Sequence, residues 1–303
     1  MNGISYELRP SKTVTRLILV DVLRHLESLT SISKYQYVGF GAVEFIDFDL
    51  MHRAFGISKM TSIEGDTALA PRCEWNRPFK GIKVLEGRST TILPTLDWSM
   101  PSIVWLDYTS TLTTEVIGDV EHMIRVLIPG SVLAVTVNAH PARYKEREAA
   151  LEKAIGADNI PLGVSENTLG NWGLADVQYK VLDAEIRSTC GDRTDGATWR
   201  QVLNIRYSDN AKMQMLAGIV GSPVLDSALD NCRFDEVEEL RKGAEAVEVR
   251  VPLLTTKERA WLNEQLPLLD GDATPELQGV KEKEIVAYQQ IYRRLQGAGG
   301  SSL

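Results

Sequence analysis

The chain has 303 residues, 44% of them hydrophobic and 24% charged, with a formal net charge of −8 at pH 7. That is an ordinary soluble composition, long enough for one large domain or two small ones. The acidic balance argues against a general nucleic-acid footprint, leaving room only for a local basic groove; no apolar run reaches the length of a membrane span. The opening stretch MNGISYELRPSK has no signal-peptide core. Cys73, Cys190 and Cys232 are far apart and odd in number, giving neither a disulfide framework nor a zinc site. A cytoplasmic protein without a bound metal is the expectation.

Residues 1–34 read as an N-terminal helical segment. Ser11 is predicted to cap a helix running to about Leu29, with Val14, Leu17, Ile18, Val22 and Leu26 as its apolar stripe. This helix packs on a sheet or closes a cofactor site; His25 reads as a surface histidine.

Residues 35–222 read as an α/β domain. A short β-prone run at 35–38 stops at Gly39-Phe40-Gly41. Residues 42–55 then carry Val43, Phe45, Ile46, Phe48, Leu50, Met51, Ala54 and Phe55 at helical spacing, and Gly56 suits a left-handed cap. Residues 59–63 form a second strand with Glu64 at its tip, followed by Gly65-Asp66. Such a unit opens a doubly wound sheet with its ligand crevice at the strand C-termini. Glycines let the backbone turn sharply and approach a ligand, and a helix N-terminus offers unpaired N–H groups. A carboxylate ending the next strand can accept both hydroxyls of a ribose. The spacing from Gly41 to Glu64 is close to the roughly 20 residues of a nucleotide-type fingerprint.

The segment ALAPRCEWNRPFKG is irregular. Its Arg72, Trp75 and Arg77 read either as a substrate-binding loop or as an ordinary packed connection. Residues 82–85 form the third strand, after which Glu86-Gly87-Arg88-Ser89 places Arg88 where a polar group meets an adenine edge. A short helix at 90–93 follows. Residues 102–106, SIVWL, are a buried parallel strand ending at Asp107-Tyr108. Residues 114–128 form a helix with Val116, Ile117, Val120, Met123, Ile124 and Leu127 inward, and Pro129-Gly130 stops it. The fifth strand, 131–137, leads to Asn138-Ala139-His140-Pro141. A charged helix at 143–155, a loop at 156–173 and a helix at 175–188 come next.

Strands at 201–207 and 212–220, joined by Ser208-Asp209-Asn210, read as an antiparallel hairpin. Residues 223–296 read as a mostly helical extension, with helices at 235–246, 256–266 and 281–296 and a strand at 248–251. Thr255 with Glu258 is a capping box, and 297–303 read as a disordered tail.

Five parallel strands with helices and a closing hairpin resemble the class I S-adenosylmethionine-dependent methyltransferases, and the arrangement is similar to uncharacterised O-methyltransferases of that kind. The residues that carry the resemblance are Gly39 and Gly41 after strand one, Glu64 after strand two and Asp107-Tyr108 after strand four. The resemblance implies a Rossmann-like fold, S-adenosylmethionine as cofactor and O-methylation of an unspecified acceptor. It implies cofactor contacts at Gly39, Phe40, Gly41, Glu64, Gly65, Arg88 and Asp107. Asp107, Tyr108 and His140 are the candidate catalytic residues.

The sequence departs from the family pattern at Tyr37, where an acid is common, and at Val43, where a third glycine is common. Glu44 stands where GxGxxG wants a glycine, and its charge opposes a pyrophosphate, which disfavours an NAD(P)-dependent oxidoreductase. A metal-dependent catechol-type site would need an acid beside Asn138, where Val137 and Ala139 stand. No Asn/Asp-Pro-Pro-aromatic tetrad is present, so exocyclic amines of DNA are disfavoured as acceptors. A non-catalytic subunit that keeps the fold as a scaffold, with a protein partner or a second copy, is the alternative from another class.

Overall fold

The computed structural model describes residues 9–298. Eight strands form one sheet: β1 (Gln36–Gly39), β2 (Lys59–Glu64), β3 (Ile82–Glu86), β4 (Ser102–Asp107), β5 (Val132–Asn138), β6 (Thr198–Ser208), β7 (Lys212–Gly221) and β8 (Val247–Val249). Their spatial order is β3-β2-β1-β4-β5-β7-β6-β8. β1 to β5 are mutually parallel, β7 runs antiparallel to both β5 and β6, and β8 pairs in parallel with β6. The expected Rossmann-like sheet with a terminal hairpin is present. The strand order reverses at β1, which has β2 on one side and β4 on the other; the ligand crevice of such a sheet lies at that switch point.

Alternation along the central strands builds two cores. Tyr37, Ile103, Trp105 and Ala134 face one layer, shared with α1 (Pro10–Leu26) and α2 (Ile46–Phe55). Val38, Val104, Leu106 and Leu133 face the other, shared with α5 (Thr114–Val126) and α7 (Gly173–Gly191). The short α3 (Ala70–Trp75) and α4 (Ser89–Ile92) follow β2 and β3, and α6 (Arg147–Ile155) follows β5.

Several expectations need correction; the stretch read as irregular, ALAPRCEWNRPFKG, holds the helix α3, with Pro71 in its first turn. The first helix begins at Pro10, whose fixed φ suits that position, and ends at Leu26. Ser11 lies inside its first turn. The cap comes from the hairpin turn: the Ser11 and Lys12 N–H groups donate to Asp209 Oδ1 at 3.0 Å and Oδ2 at 3.1 Å.

The helix expected from residue 42 starts at Ile46, because Ala42 (φ 45°) and Phe45 (φ 51°) are left-handed. The Phe45 N–H donates to the Gly41 carbonyl at 2.9 Å, and the buried Phe45 ring packs on Phe48 with centroids 5.4 Å apart. Gly41 makes this possible: a Cβ there would lie 2.6 Å from the Phe45 ring and 2.7 Å from Ser62 Oγ. Likewise α6 starts at Arg147, after the left-handed Lys145 (φ 74°).

Residues 235–246 form no α-helix beyond a 3-10 turn at Phe234–Glu236. The chain instead tracks the edge of β6. The Arg241 N–H donates to the Val202 carbonyl at 2.8 Å. The Gln201 amide donates to the carbonyls of Arg241 and Gly243, and the Asn204 amide to that of Ala244. Backbone groups a helix would satisfy internally are spent on the sheet, and the segment leads directly into β8.

The C-terminal helices are α8 (Pro223–Leu229), α9 (Thr256–Glu264), with its Thr255–Glu258 capping box, and α10 (Glu282–Ala298). Leu262, Ile285 and Tyr288 form a small core between the last two. Arg294 on α10 pairs with Asp21 on α1 and with the buried Glu239. Of the tail expected at 297–303, Gly297 and Ala298 belong to α10, and 299–303 lie outside the described residues, as do 1–8.

Candidate active site

A cleft of about 360 Å³ opens at the C-terminal strand tips. Phe40 and Ala42 of the glycine turn, Glu64 and Gly65 after β2, Arg88 after β3, and Asp107 after β4 all line it. A smaller cavity of about 120 Å³ adjoins, bounded by β5 and the β6–β7 hairpin through Asn138, Tyr207 and Met213. Lys12, Asp107, Tyr108 and Thr109 line both.

Of the glycine turn, Phe40 and Ala42 line the cleft, whereas Gly39 and Gly41 do not; both glycines sit against neighbouring strands. A Cβ on Gly39 would lie 3.0 Å from the Trp105 carbonyl oxygen, and the Gly41 N–H donates to Ser62 Oγ at 3.0 Å. Tyr37, at the position where the resemblance favours an acid, is buried close to Asp47 and Asp107. Burial first, then those charges, push its pKa well above the ordinary value.

Glu64 Oε1 accepts the Asp66 N–H at 2.8 Å, and Oε2 accepts the Cys73 thiol at 3.5 Å. Burial, followed by the charge of Glu64, pushes that thiol up to about 12, so Cys73 is a neutral donor. A carboxylate has about four lone-pair sites, so acceptor capacity remains toward the cleft. Arg88 pairs with Glu115 at 3.0 Å on the exposed rim.

Tyr108 contributes a wall. Its ring meets Phe40 edge-on, with centroids 5.1 Å apart. Its hydroxyl donates to Asp119 Oδ2 at 2.6 Å, and Ser89 Oγ donates to the same oxygen at 2.5 Å. Burial raises both the Tyr108 phenol and the Asp119 carboxyl, and Asp119 raises Tyr108 further. A phenol so held does not exchange protons near neutral pH.

Asp107 forms a buried ion pair with Lys12 of α1; their side chains are 11% and 5% exposed. Asp107 Oδ1 is buried and has no hydrogen-bond partner among the described residues. Beside this pair lies a second buried pair, Arg16–Asp47.

Other candidates stand elsewhere. His140 is exposed and lines a separate cavity of about 160 Å³ with Thr111, Arg147 and Leu151. Arg72, Trp75 and Arg77 line neither the cleft nor its neighbour. Trp75 is 88% exposed. Arg77 donates to the Ile82 carbonyl at 2.6 Å, at the opposite end of β3 from the cleft. A larger depression of about 720 Å³ between α1 and α10 holds no strand tip.

Lys12, Ser89, Asp119 and Tyr207 are site residues that sequence reasoning passed over. Asp119 carried a signal, as a lone acid on the inward stripe of Val116, Ile117, Val120 and Met123. Lys12 carried none. Among the described residues, no group of three or more His, Cys, Asp or Glu is placed to hold a metal ion, and no helix is long and apolar enough to cross a membrane.

A doubly wound sheet with a glycine turn, a strand-end carboxylate and a cleft across the switch point defines a Rossmann-like domain of the nucleotide-binding type. Residues 4–295 match the family described as "Putative O-methyltransferase", and the chain belongs to that family. The class I methyltransferase resemblance seen in the sequence agrees with it. No curated protein matches the chain. Among solved structures it is similar to Trm1 from Pyrococcus horikoshii, in complex with S-adenosyl-L-methionine, at 12% identity over 84% of this chain and 71% of that one, with a TM-score of 0.46. It is also similar to the O-methyltransferase TomG from Streptomyces achromogenes, at 15% identity over 65% of this chain and 78% of that one, with a TM-score of 0.37.

Proposed function

We propose that the chain is an S-adenosylmethionine-dependent O-methyltransferase, with the methyl donor in the cleft and Asp107 facing the acceptor. One observation carries the reading: a single cleft runs from Glu64 past the glycine turn to Asp107. Glu64 accepts the ribose hydroxyls, the glycine turn lets the backbone close on the ligand, and the loop around Arg88 borders the adenine. Phe40 and Tyr108 exclude water from the methyl-bearing end. When bound, the sulfonium supplies an already activated methyl group, so the protein's part is alignment, desolvation and acceptor orientation. With Asp107 paired to Lys12 and Glu115 to Arg88, Glu64 leaves the cleft lining with one net negative charge, which favours a cationic sulfonium and opposes a pyrophosphate. The free, buried Cys73, Cys190 and Cys232 suit a reducing cytoplasmic setting.

Calorimetry with S-adenosylhomocysteine and with NAD tests this reading. Binding of the first alone is expected; binding of NAD alone overturns it.

A further inference from the structure

Glu64 meets two donors of its own chain before it meets any ligand. Its Oε1 accepts the Asp66 N–H at 2.8 Å, and its Oε2 accepts the Cys73 thiol at 3.5 Å. One donor on each oxygen fixes both the position of the carboxylate and the plane in which its oxygens lie. Each carboxylate oxygen has about two lone-pair sites, so each keeps one for a ligand. Two oxygens held in this way offer paired acceptors to the cleft that Glu64 lines, which is the pattern a vicinal diol needs.

The fold brings these groups together within 9 residues of chain. β2 ends at Glu64, and Asp66 then turns the backbone. Its Oδ1 accepts the Ala68 N–H at 2.9 Å, and its carbonyl accepts the Leu69 and Ala70 N–H groups at 2.9 and 3.1 Å. That turn starts α3 and carries Cys73 back beside the strand tip. Cys73 is fully buried and packs with the core shared by α1 and α2. An apolar residue would satisfy that packing; the hydrogen bond to Glu64 requires a donor. Burial and the charge of Glu64 push the thiol up to about 12, so the proton stays on sulfur and the thiol donates.

Resting on the methyltransferase reading above, we propose that Cys73 is a positioning residue for cofactor binding: its thiol orients Glu64 so that the two carboxylate oxygens accept the two ribose hydroxyls of the methyl donor. Cys73 touches no ligand itself, since it lines neither the cleft nor the cavity beside it. Its contribution is preorganisation: a carboxylate already held loses less rotamer freedom when the ligand arrives.

A double-mutant cycle tests this, with calorimetry on S-adenosylhomocysteine as the readout and thermal melts recorded for every variant. Cys73→Ala should weaken binding about five- to tenfold, as expected for losing one hydrogen bond from a weak donor to a charged group. Cys73→Ser keeps a donor and should recover most of that loss. In the Glu64→Ala background, Cys73→Ala should change affinity by less than about twofold, because the carboxylate it orients is gone. A merely structural cysteine behaves otherwise: its loss costs the same affinity with or without Glu64. That additive outcome overturns the proposal. So does wild-type affinity in Cys73→Ala, or a serine variant as weak as the alanine one. Should Cys73→Ala fail to fold, Cys73→Val, which fills the space without a donor, replaces it in the cycle. Failure of the wild type to bind S-adenosylhomocysteine defeats the methyltransferase reading itself. Wild-type binding that Glu64→Ala leaves unchanged defeats the ribose clamp, and this proposal with it, while that reading stands.

Discussion

Ser11 and Asp209 lie 198 positions apart, and the Ser11 amide donates to the Asp209 carboxylate at 3.0 Å. Asp209 accepts the Lys12 amide as well, so the hairpin turn caps the first helix. That helix carries Lys12 to Asp107 and Arg16 to Asp47. Position along the chain and position at the site are thus coupled through one carboxylate.

Asp209→Ala should cost about 0.5–2 kcal/mol, the usual cost of losing a helix cap, and lower the melting temperature. Asp209→Asn keeps an acceptor and should lose less. Thermal melts followed by circular dichroism compare the three; equal melting of the alanine variant and the wild type would show that the cap contributes nothing.

Glu64 should be the side chain to which cofactor affinity is most sensitive. Hydrogen bonds to a charged group contribute roughly 1.5–3 kcal/mol each, so Glu64→Ala should weaken S-adenosylhomocysteine binding by about 100-fold or more, allowing for replacement by water. Glu64→Gln keeps one oxygen and should lose less. Asp66 lends its N–H to Glu64, so Asp66→Ala leaves that donor in place and should matter least. Calorimetry on the three variants ranks them, and a larger loss for Asp66→Ala than for Glu64→Ala contradicts the ribose-clamp role.

Tyr108→Phe separates wall from chemistry. It leaves the buried Asp119 carboxylate with Ser89 alone and should destabilise the fold by about 1–3 kcal/mol. The ring contact with Phe40 survives, so S-adenosylhomocysteine affinity should stay within about threefold, well under the tenfold that 1.4 kcal/mol represents. Loss of turnover without loss of stability would place the hydroxyl in the reaction.

Alkali should unfold the chain early. Burial holds the Cys73 thiol at about 12 in the fold against an ordinary 9.0, and holds Tyr37 and Tyr207 well above 10.0. Each of these acids stays neutral in the fold and ionises sooner in the unfolded chain. Their stabilisation is complete below the ordinary value and is lost as pH rises toward the folded one. Melting temperature should therefore fall from about pH 9 upward, less steeply in Cys73→Ala. A flat wild-type profile between pH 8 and 11 would contradict the assignment.

What was legible in the sequence was local. SIVWL and the fifth strand declare themselves as buried parallel strands, and the polar turn at 208–210 declares a hairpin. Glu64 is a strand tip because β-branched residues run up to it. What was not legible depends on distant partners. Nothing near Lys12 indicates Asp107, and nothing near Ser11 indicates Asp209. The start of α2 was misplaced because alanine and phenylalanine seldom adopt positive φ, and only packing against Gly41 makes Phe45 do so. The segment 235–246 has the composition of a helix, yet Gln201 and Asn204 claim its carbonyls for the sheet edge.

The capping of the first helix by the hairpin also sets an order of events on the ribosome. Synthesis runs from the N-terminus, so the helix emerges 198 residues ahead of the carboxylate that closes its first turn. Through that interval Ile18, Leu19 and Leu23, buried in the finished fold, have no β6–β7 hairpin to settle beside. The nascent chain therefore presents a helix with a long buried stripe early and docks it late. The Lys12–Asp107 pair that walls the crevice thus waits on a turn made about two-thirds of the way along the chain.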